Sequence, residues 1–404
     1  MTTLDDEEAR PVDESFGKLR RQVREFVDDE VIPAEPVLDR GDATATARLG
    51  ELRAGAKRRG LWALGHPTEI DGGGLSFLQT AHLNEIIGRS FYGQKALGTW
   101  SMQDSLMLHE QGTPEQRQRW LAPLVAGEIR SSVGLTEPEV AGSDPTLIAS
   151  TAVLDGDEWV VNAHKWFTTG ANIAAFTTVF AVTEPEAAPH RRVSAIIVPT
   201  DTPGYEVVRS VPTLGTEHSI MGDHCEIRLT DVRVPAANLL GARGDGFVIG
   251  QKRLGPGRIF HAMRWLGQME RAFDLMVARA NDRFAHGSKL IDKGEIRRHI
   301  AESAADIFYH RAAVIAAAQA VDSGSRARVE IGLVKVRGAH LLHDVIDRAI
   351  QVHGALGVTA DTPLDAMYRR ARYARIYDGP DEVHRDTVAR LLGRGPNRVP
   401  WAVD

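Results

Sequence analysis

The chain has 404 residues, more than a single hydrophobic core usually serves, with 43% hydrophobic and 25% charged residues and a formal net charge of −6. That balance gives no bulk electrostatic reason to bind nucleic acid, and a lone cysteine, Cys225, excludes an internal disulfide and a cysteine-rich metal site. No run reaches the ~18 apolar residues of a membrane span, and the acidic start MTTLDDEEARPVDESF lacks the apolar core of a signal peptide, so the expectation is a cytoplasmic protein with two or three subdomains.

Residues 1–130 read as a helical domain. Phe16, Leu19, Val23, Phe26 and Val27 recur at helical spacing, and Pro33 and Pro36 are expected to end that helix. ELRAGAKRRGLWALG repeats the amphipathic pattern. SFLQTAHLNEIIGRS opens on a serine cap and should end near Gly88. Thr113 before Pro114 is a cap followed by a first-turn proline. Residues 131–242 change character. TAVLDGDEWVVNAHKWFTTG reads as strand, Asp-Gly turn, strand, and FTTVFAVT, VSAIIVPT, YEVVRS and HCEIRLTDVRVP are short and rich in β-branched residues. Residues 243–404 return to long amphipathic helices whose lengths suit a four-helix bundle. Within them KRLGPGRIFHAMR reads as a helix start, with Arg258 in its first turn. The fold class is α+β: an N-terminal helical domain, a central small β-barrel or sandwich, and a C-terminal helical bundle.

Several chemistries find no support. His340 and His343, with His353 beyond, lack a matching acidic or cysteine set, so no metal is expected. GARGDGFVIG does not follow a dinucleotide-fold strand, and neither a GxSxG elbow nor a phosphate-cradling Walker loop is present. Other stretches carry two readings each. VGLTEPEVAGSD is a loop of turn formers, or a cradle for a polar planar ring with the Thr136 hydroxyl as donor. In KWFTTG, Trp166 is a core residue, or an aromatic wall flanked by Lys165 and Thr168. Gly354 suits a helix C-cap, and Gly357 would permit close approach to a ligand phosphate. In RIYDGPDEVHR, Asp378 is a turn cap, or a base aimed into a cleft.

LTEPEVAGSD, KWFTTG, RLGPGRI, QVHGALG and YDGPDEVHR, in this order around a β-domain, together resemble the acyl-CoA dehydrogenase family. The resemblance covers nearly the whole chain. RLGPGRI and DGPDEVH are most similar to a subgroup found as the dehydrogenase part of larger vertebrate proteins and as stand-alone bacterial enzymes. It implies FAD bound between the β-domain and the C-terminal bundle. Leu135 and Thr136 would contact the flavin ring, Trp166 and Thr168 would lie beside it, and Ser143 would touch flavin phosphate or the pantetheine arm of the substrate. Arg283 matches an arginine that meets the pyrophosphate of FAD from a neighbouring subunit. Gln351 and Gly354 match a cofactor-binding segment, and Pro380, Asp381 and Glu382 match the segment closing over flavin and adenosine. Gly257 and Arg258 would line the acyl-CoA path, with Tyr377 and Gly379 beside the substrate. The implied reaction is α,β-desaturation of an acyl-CoA thioester: Asp378 takes the α-proton while flavin N5 takes the β-hydride. Backbone donors, among them the Asp378 N–H, would polarise the thioester carbonyl. Exclusion of water is expected to raise the basicity of Asp378.

The chain departs from the usual family pattern in reading YDGP where most relatives read YEGT, so the base is an aspartate. Gly257 leaves the alternative base position empty. His286 stands where phenylalanine is usual, and Ala355 where a second glycine is common. The same fold also accommodates a nitroalkane-oxidase-like enzyme, an acyl-CoA oxidase, or a flavin-bound binding protein without catalysis. Electron-transferring flavoprotein is the implied electron acceptor, and a homodimer or homotetramer the implied assembly.

Overall fold

The computed structural model describes residues 14–215, 220 and 222–394. Its first helix, α1 (Glu14–Phe26), does not stop at the prolines. It passes through a wide π-turn at Val27–Val31 and continues as α2 (Ile32–Leu38), which contains both Pro33 and Pro36. A helical proline has no N–H to give and its ring presses on the carbonyl four residues back. The wide turn, closed by the Ile32 N–H on the Val27 carbonyl, spreads the ladder just before Pro33, and both prolines face outward. The device recurs at Arg117–Leu121, where the Ala122 N–H reaches the Arg117 carbonyl and Pro123 follows.

Between these turns lie α3 (Ala43–Arg58), α4 (Phe77–Gly88), α5 (Gly93–Leu97), α6 (Met102–Gln111) and α7 (Pro114–Gln116); α8 (Ala122–Ala126) follows the second turn. The sequence-expected caps form as reciprocal pairs, Ser76 with Gln79 and Thr113 with Gln116.

The strands are β1 (Ser131–Gly134), β2 (Thr151–Asp155), β3 (Glu158–Thr169), β4 (Phe176–Val182), β5 (Val193–Pro199), β6 (Tyr205–Ser210), β7 (His224–Pro235) and β8 (Leu239–Leu240). They form one sheet in the order β6-β7-β3-β2-β4-β5-β8, with β1 parallel to β4. The β2–β3 hairpin turns through Gly156 and Asp157, with Asp155 opposite Glu158 and Gly156 at φ 64°. Strand β4 is buried along its whole length. Phe176 and Phe180 pack with Trp120 and Leu124 of the helical layer, while Val179 and Ala181 join Trp159, Val161, Ile227 and Val232 on the other face. Cys225 is buried there as a free thiol, its pKa raised by burial.

The long helix α9 (Gly246–Asp282) corrects the sequence expectation: it begins well before Pro256, and Arg258 lies in its fourth turn. A small hairpin, β9 (Phe284–Ala285) and β10 (Ser288–Lys289), leads to α10 (Gly294–Asp322), α11 (Arg328–His353), α12 (Leu364–Tyr373) and α13 (Asp381–Arg394). Apolar residues of α9, α10, α11 and α12 share one core around Leu266, Met269, Leu342 and Val345. Helices α4 and α9 cross in near-contact. A Cβ on Gly267 would stand 2.0 Å from the Glu85 carbonyl oxygen, and one on Gly88 2.4 Å from the Arg264 Cα. That crossing seats the N-terminal helices against the middle of α9.

Candidate active site

The turn from α12 to α13 carries Tyr377, Asp378 and Gly379. Asp378 takes the left-handed backbone conformation at φ 54°, followed by Gly379 at φ 99°. For a residue with a Cβ this costs about 1–2 kcal/mol, and such strain persists only where its surroundings enforce it. Here three helices do so. Arg258 Nε of α9 donates to the Asp378 carbonyl at 2.8 Å, and His384 Nε2 of α13 lies 3.1 Å from the same oxygen. Lys335 Nζ of α11 donates to the Gly379 carbonyl at 2.6 Å. Lys335 is fully buried, and burial pulls its pKa down to about 8.

The Asp378 carboxylate is 23% exposed, enough to be reached from outside. Its Oδ2 lies 3.1 Å from His261 Nε2. Burial pushes its pKa up, but the hydrogen bond from His261 and the positive charges of Arg253 and Arg258 outweigh that and hold it well below the usual carboxylate range. The expected gain in basicity is therefore absent from the ligand-free chain: water is displaced here largely by cations and a ring N–H, which favour the ionised form. Arg253 is itself tied to Asp104 at 2.7 Å, and Asp104 accepts from Ser131 Oγ at 2.6 Å.

His261 was not singled out in the sequence. It lies one helical turn beyond Gly257 and one before Trp265, a spacing that places all three on one face of α9. Tyr377 meets that face: its ring is 4.7 Å from His261, and Trp265 Nε1 donates to its hydroxyl at 2.9 Å. Burial raises the Tyr377 pKa well above its ordinary value. On the same helix Arg264 Nη2 reaches His261 Nδ1 at 2.8 Å. Arg264 also lines a cleft of about 560 Å³, open mouth included, with His66, Thr99, Met102, Gln103 and Phe260. Gln103 Nε2 would stand 3.1 Å from a Cβ on Gly257, so α6 adjoins α9 at the proposed acyl path.

A second group forms on the β-domain. The Trp166 backbone N–H donates to the Thr136 carbonyl at 3.1 Å, bringing KWFTTG against LTEPE. A bulge between Lys165 and Thr168, with Phe167 at φ 50°, breaks the register there. Thr168 is fully buried, and neither its hydroxyl nor the Trp166 indole N–H has a hydrogen-bond partner among the described residues. Buried donors are seldom left orphaned, so this shelf is suited to a polar ring. Lys165, read in the sequence as a flank, is a buried strut. Its Nζ donates to Glu137 at 2.7 Å, to the Phe180 carbonyl at 2.7 Å and to the Leu135 carbonyl at 3.2 Å. Glu137 in turn accepts from the Ala149 and Ser150 N–H groups.

The remaining sequence candidates scatter. Ser143 is exposed in the loop beyond Glu137, and Gln351 and Gly354 are exposed at the end of α11, where Gly354 is the C-cap at φ 64°. The closeness at Gly357 is to the chain itself: a Cβ there would stand 2.7 Å from the Ile350 carbonyl oxygen. Arg283 caps the far end of α9, about 39 Å from Gly257 at 1.5 Å per residue. Pro380 is half-buried and Glu382 exposed, while Asp381 is buried and bonded by Arg375 at 2.8 Å and His340 at 2.9 Å. Among the described residues no group of three or more His, Cys, Asp or Glu gathers as a metal site, and no helix is long and apolar enough to cross a membrane.

Three family models match in chain order: Acyl-CoA dehydrogenase, N-terminal domain, over residues 13–128, middle domain over 132–232, and C-terminal domain over 244–393. The probable acyl-CoA dehydrogenase FadE2 of Mycobacterium tuberculosis is 43% identical over 385 residues, covering 92% of this chain and 93% of that one. Acyl-CoA dehydrogenase family member 10 of Mus musculus is 39% identical over 401 residues; 95% of this chain is covered, but only 37% of the mouse protein. A solved structure from Mycobacterium abscessus, 38% identical, superposes with a TM-score of 0.88 over 93% of this chain and 97% of its own.

Proposed function

Because the chain belongs to the acyl-CoA dehydrogenase family of flavin-dependent oxidoreductases, we propose that it carries out α,β-desaturation of an acyl-CoA thioester with Asp378 as the base. The observation that carries this reading is the turn at Asp378, whose strained backbone is held by three helices while its carboxylate stays partly exposed against His261. We assign the chain to the subgroup with aspartate in place of the usual glutamate. Its proposed division is 1–130, 131–242 and 243–404.

The orphaned donors of Thr168 and Trp166 fit a flavin ring, with Leu135 and Thr136 against it. FAD bound there would supply the hydride acceptor. Ser143, Gln351, Gly354, Pro380, Asp381 and Glu382 are proposed to hold the rest of it, and Arg283 to meet the pyrophosphate of FAD in a neighbouring subunit. Its distance along α9 from Gly257 supports that arrangement, and with it a homodimer or homotetramer. Asp378 accepts the α-proton, and its own N–H steadies the thioester carbonyl as charge develops on the oxygen. Gly257 leaves room for the acyl group beside α6, and Arg258, Tyr377 and Gly379 frame it. An acyl group that fills the cleft and expels water strengthens every interaction inside it. We propose electron-transferring flavoprotein as the acceptor and the cytoplasm as the location, with no nucleic acid partner.

Anaerobic titration of the FAD-loaded protein with a panel of acyl-CoAs tests the reading. Bleaching of the flavin by one acyl class is the expected result. A yellow protein that no acyl-CoA bleaches, yet that a nitroalkane reduces, would replace it with the oxidase alternative.

A further inference from the structure

Resting on the reading of Asp378 as the base, we propose that His261 is its positioning residue: a neutral imidazole whose Nε2–H fixes Oδ2 and leaves Oδ1 to the substrate, and whose proton placement is set by Arg264. A guanidinium can only donate. Arg264 Nη2 at 2.8 Å from Nδ1 therefore requires a lone pair on that nitrogen, which puts the ring proton on Nε2, 3.1 Å from Asp378 Oδ2.

The surroundings agree. Burial and the Arg264 charge lower the His261 pKa from 6.5, so the ring is neutral near pH 7, although Asp378 opposes them. The ring is also confined, with Tyr377 at 4.7 Å and Trp265 at 6.1 Å in stacked orientation. The same geometry excludes a proton relay. Nδ1 is occupied by a donor that cannot accept, so a proton taken by Asp378 has no onward path through the ring. His261 thus acts on orientation and on the resting basicity of the carboxylate.

Other groups also bear on Asp378. From α9 these are Arg253, Arg258 and Arg264; from α11, Lys335, on which Asp381 and Glu382 of α13 also act; from α13, His384; from the turn, Tyr377. His384 is itself held neutral, its pKa lowered to about 4 chiefly by burial. His261 is the group that hydrogen-bonds the carboxylate, and its removal is the change that exposes its role.

The experiment compares His261→Gln, His261→Asn and His261→Phe in the FAD-loaded enzyme. A glutamine amide reaches about as far as Nε2, and an asparagine amide does not. Two quantities are read: the pH profile of kcat/KM, and the titration of the Asp378 carboxyl by 13C NMR of aspartate-labelled protein, assigned by the signal lost in Asp378→Asn. Glutamine should stay near wild type in both. Asparagine and phenylalanine should raise the carboxyl titration by at least about one pH unit and lower kcat at least tenfold, with KM changed much less. Should the phenylalanine variant fail to fold, the glutamine–asparagine pair decides alone. Unchanged titration and superposed profiles in that pair overturn the role of His261. Activity surviving in Asp378→Asn overturns the base reading instead.

Discussion

Arg258 Nε donates to the backbone carbonyl of Asp378, at 2.8 Å, and makes no ion pair with its carboxylate. The arginine pins the strained backbone, and the carboxylate keeps its approach to substrate. Replacing Arg258 with methionine should let the turn relax while FAD stays bound. A displacement of about 1 Å at a reacting group can cost on the order of 100-fold. We expect a loss of that size in kcat, with lysine recovering part of it. Steady-state kinetics on both variants checks this, and a change confined to KM would mean that Arg258 serves substrate binding alone.

Asp378→Asn preserves the turn and removes the proposed base. Its expected cost is about 10²–10⁴ in turnover, with FAD content unchanged. Asp378→Glu adds a methylene against His261 and should retain intermediate activity. Flavin absorbance followed under single-turnover conditions separates the two. Wild-type rates in Asp378→Asn would remove Asp378 from the chemistry.

Lys165 and Glu137 form a fully buried pair that clamps LTEPE to β3. Burial lowers the Lys165 pKa to about 8 in spite of Glu137. Lys165→Met strands a buried carboxylate, and breaking such a pair typically costs about 3–5 kcal/mol. The double variant Lys165→Met, Glu137→Gln should be more stable than that single one. Denaturant melts of the FAD-loaded proteins test this order, and the single variant should also lose FAD more readily.

Glu270 gives a pH signature away from the site. Burial and the neighbouring Glu85 charge push its pKa from 4.5 up to about 7 although Arg311 donates to its Oε1, and its Oε2 lies 3.7 Å from Arg89 and 3.9 Å from Arg24, too far for hydrogen bonds. The folded chain therefore holds a proton that the unfolded chain has already released. For this group stability falls as pH rises from about 4.5 to 7, the reverse of an ordinary paired carboxylate. Glu270→Gln should flatten that part of the stability–pH curve. An unchanged slope would place the proton elsewhere in the Glu85–Arg311 cluster.

The strands and caps were legible because their signals are local. Alternation, Gly156 in a tight turn, and Ser76 or Thr113 followed by glutamine three residues on all act within a few residues. The start of α9 was not legible, because Gly255, Pro256 and Gly257 carry the marks of a helix start while packing keeps the helix running through them. The role of Lys165 as a buried strut was not legible, because its partner Glu137 lies on another segment and nothing nearby marks it as buried. Asp378 was legible through its turn and its resemblance to a family motif. His261 was not, since a single histidine on an amphipathic helix looks like any other until the chain returns through Tyr377 and Asp378 to face it.

The wide turn at Val27–Val31 has a consequence for the phase of the apolar stripe. Before the turn the stripe runs Phe16, Leu19, Val23, Phe26. Continued at ordinary helical spacing it would land on Glu30, Pro33 and Val37. The residues buried instead are Val31, Ala34 and Leu38, each one position later. One extra residue in the turn rotates everything beyond it by about 100°, and the sequence is written in the shifted frame. Winding 27–31 as a regular helix with no residue removed would turn Glu30 and Pro33 toward the core, whereas deleting one residue there would restore a regular helix with Ala34 and Leu38 still facing it, so the wide turn is what keeps the two halves of the stripe in step.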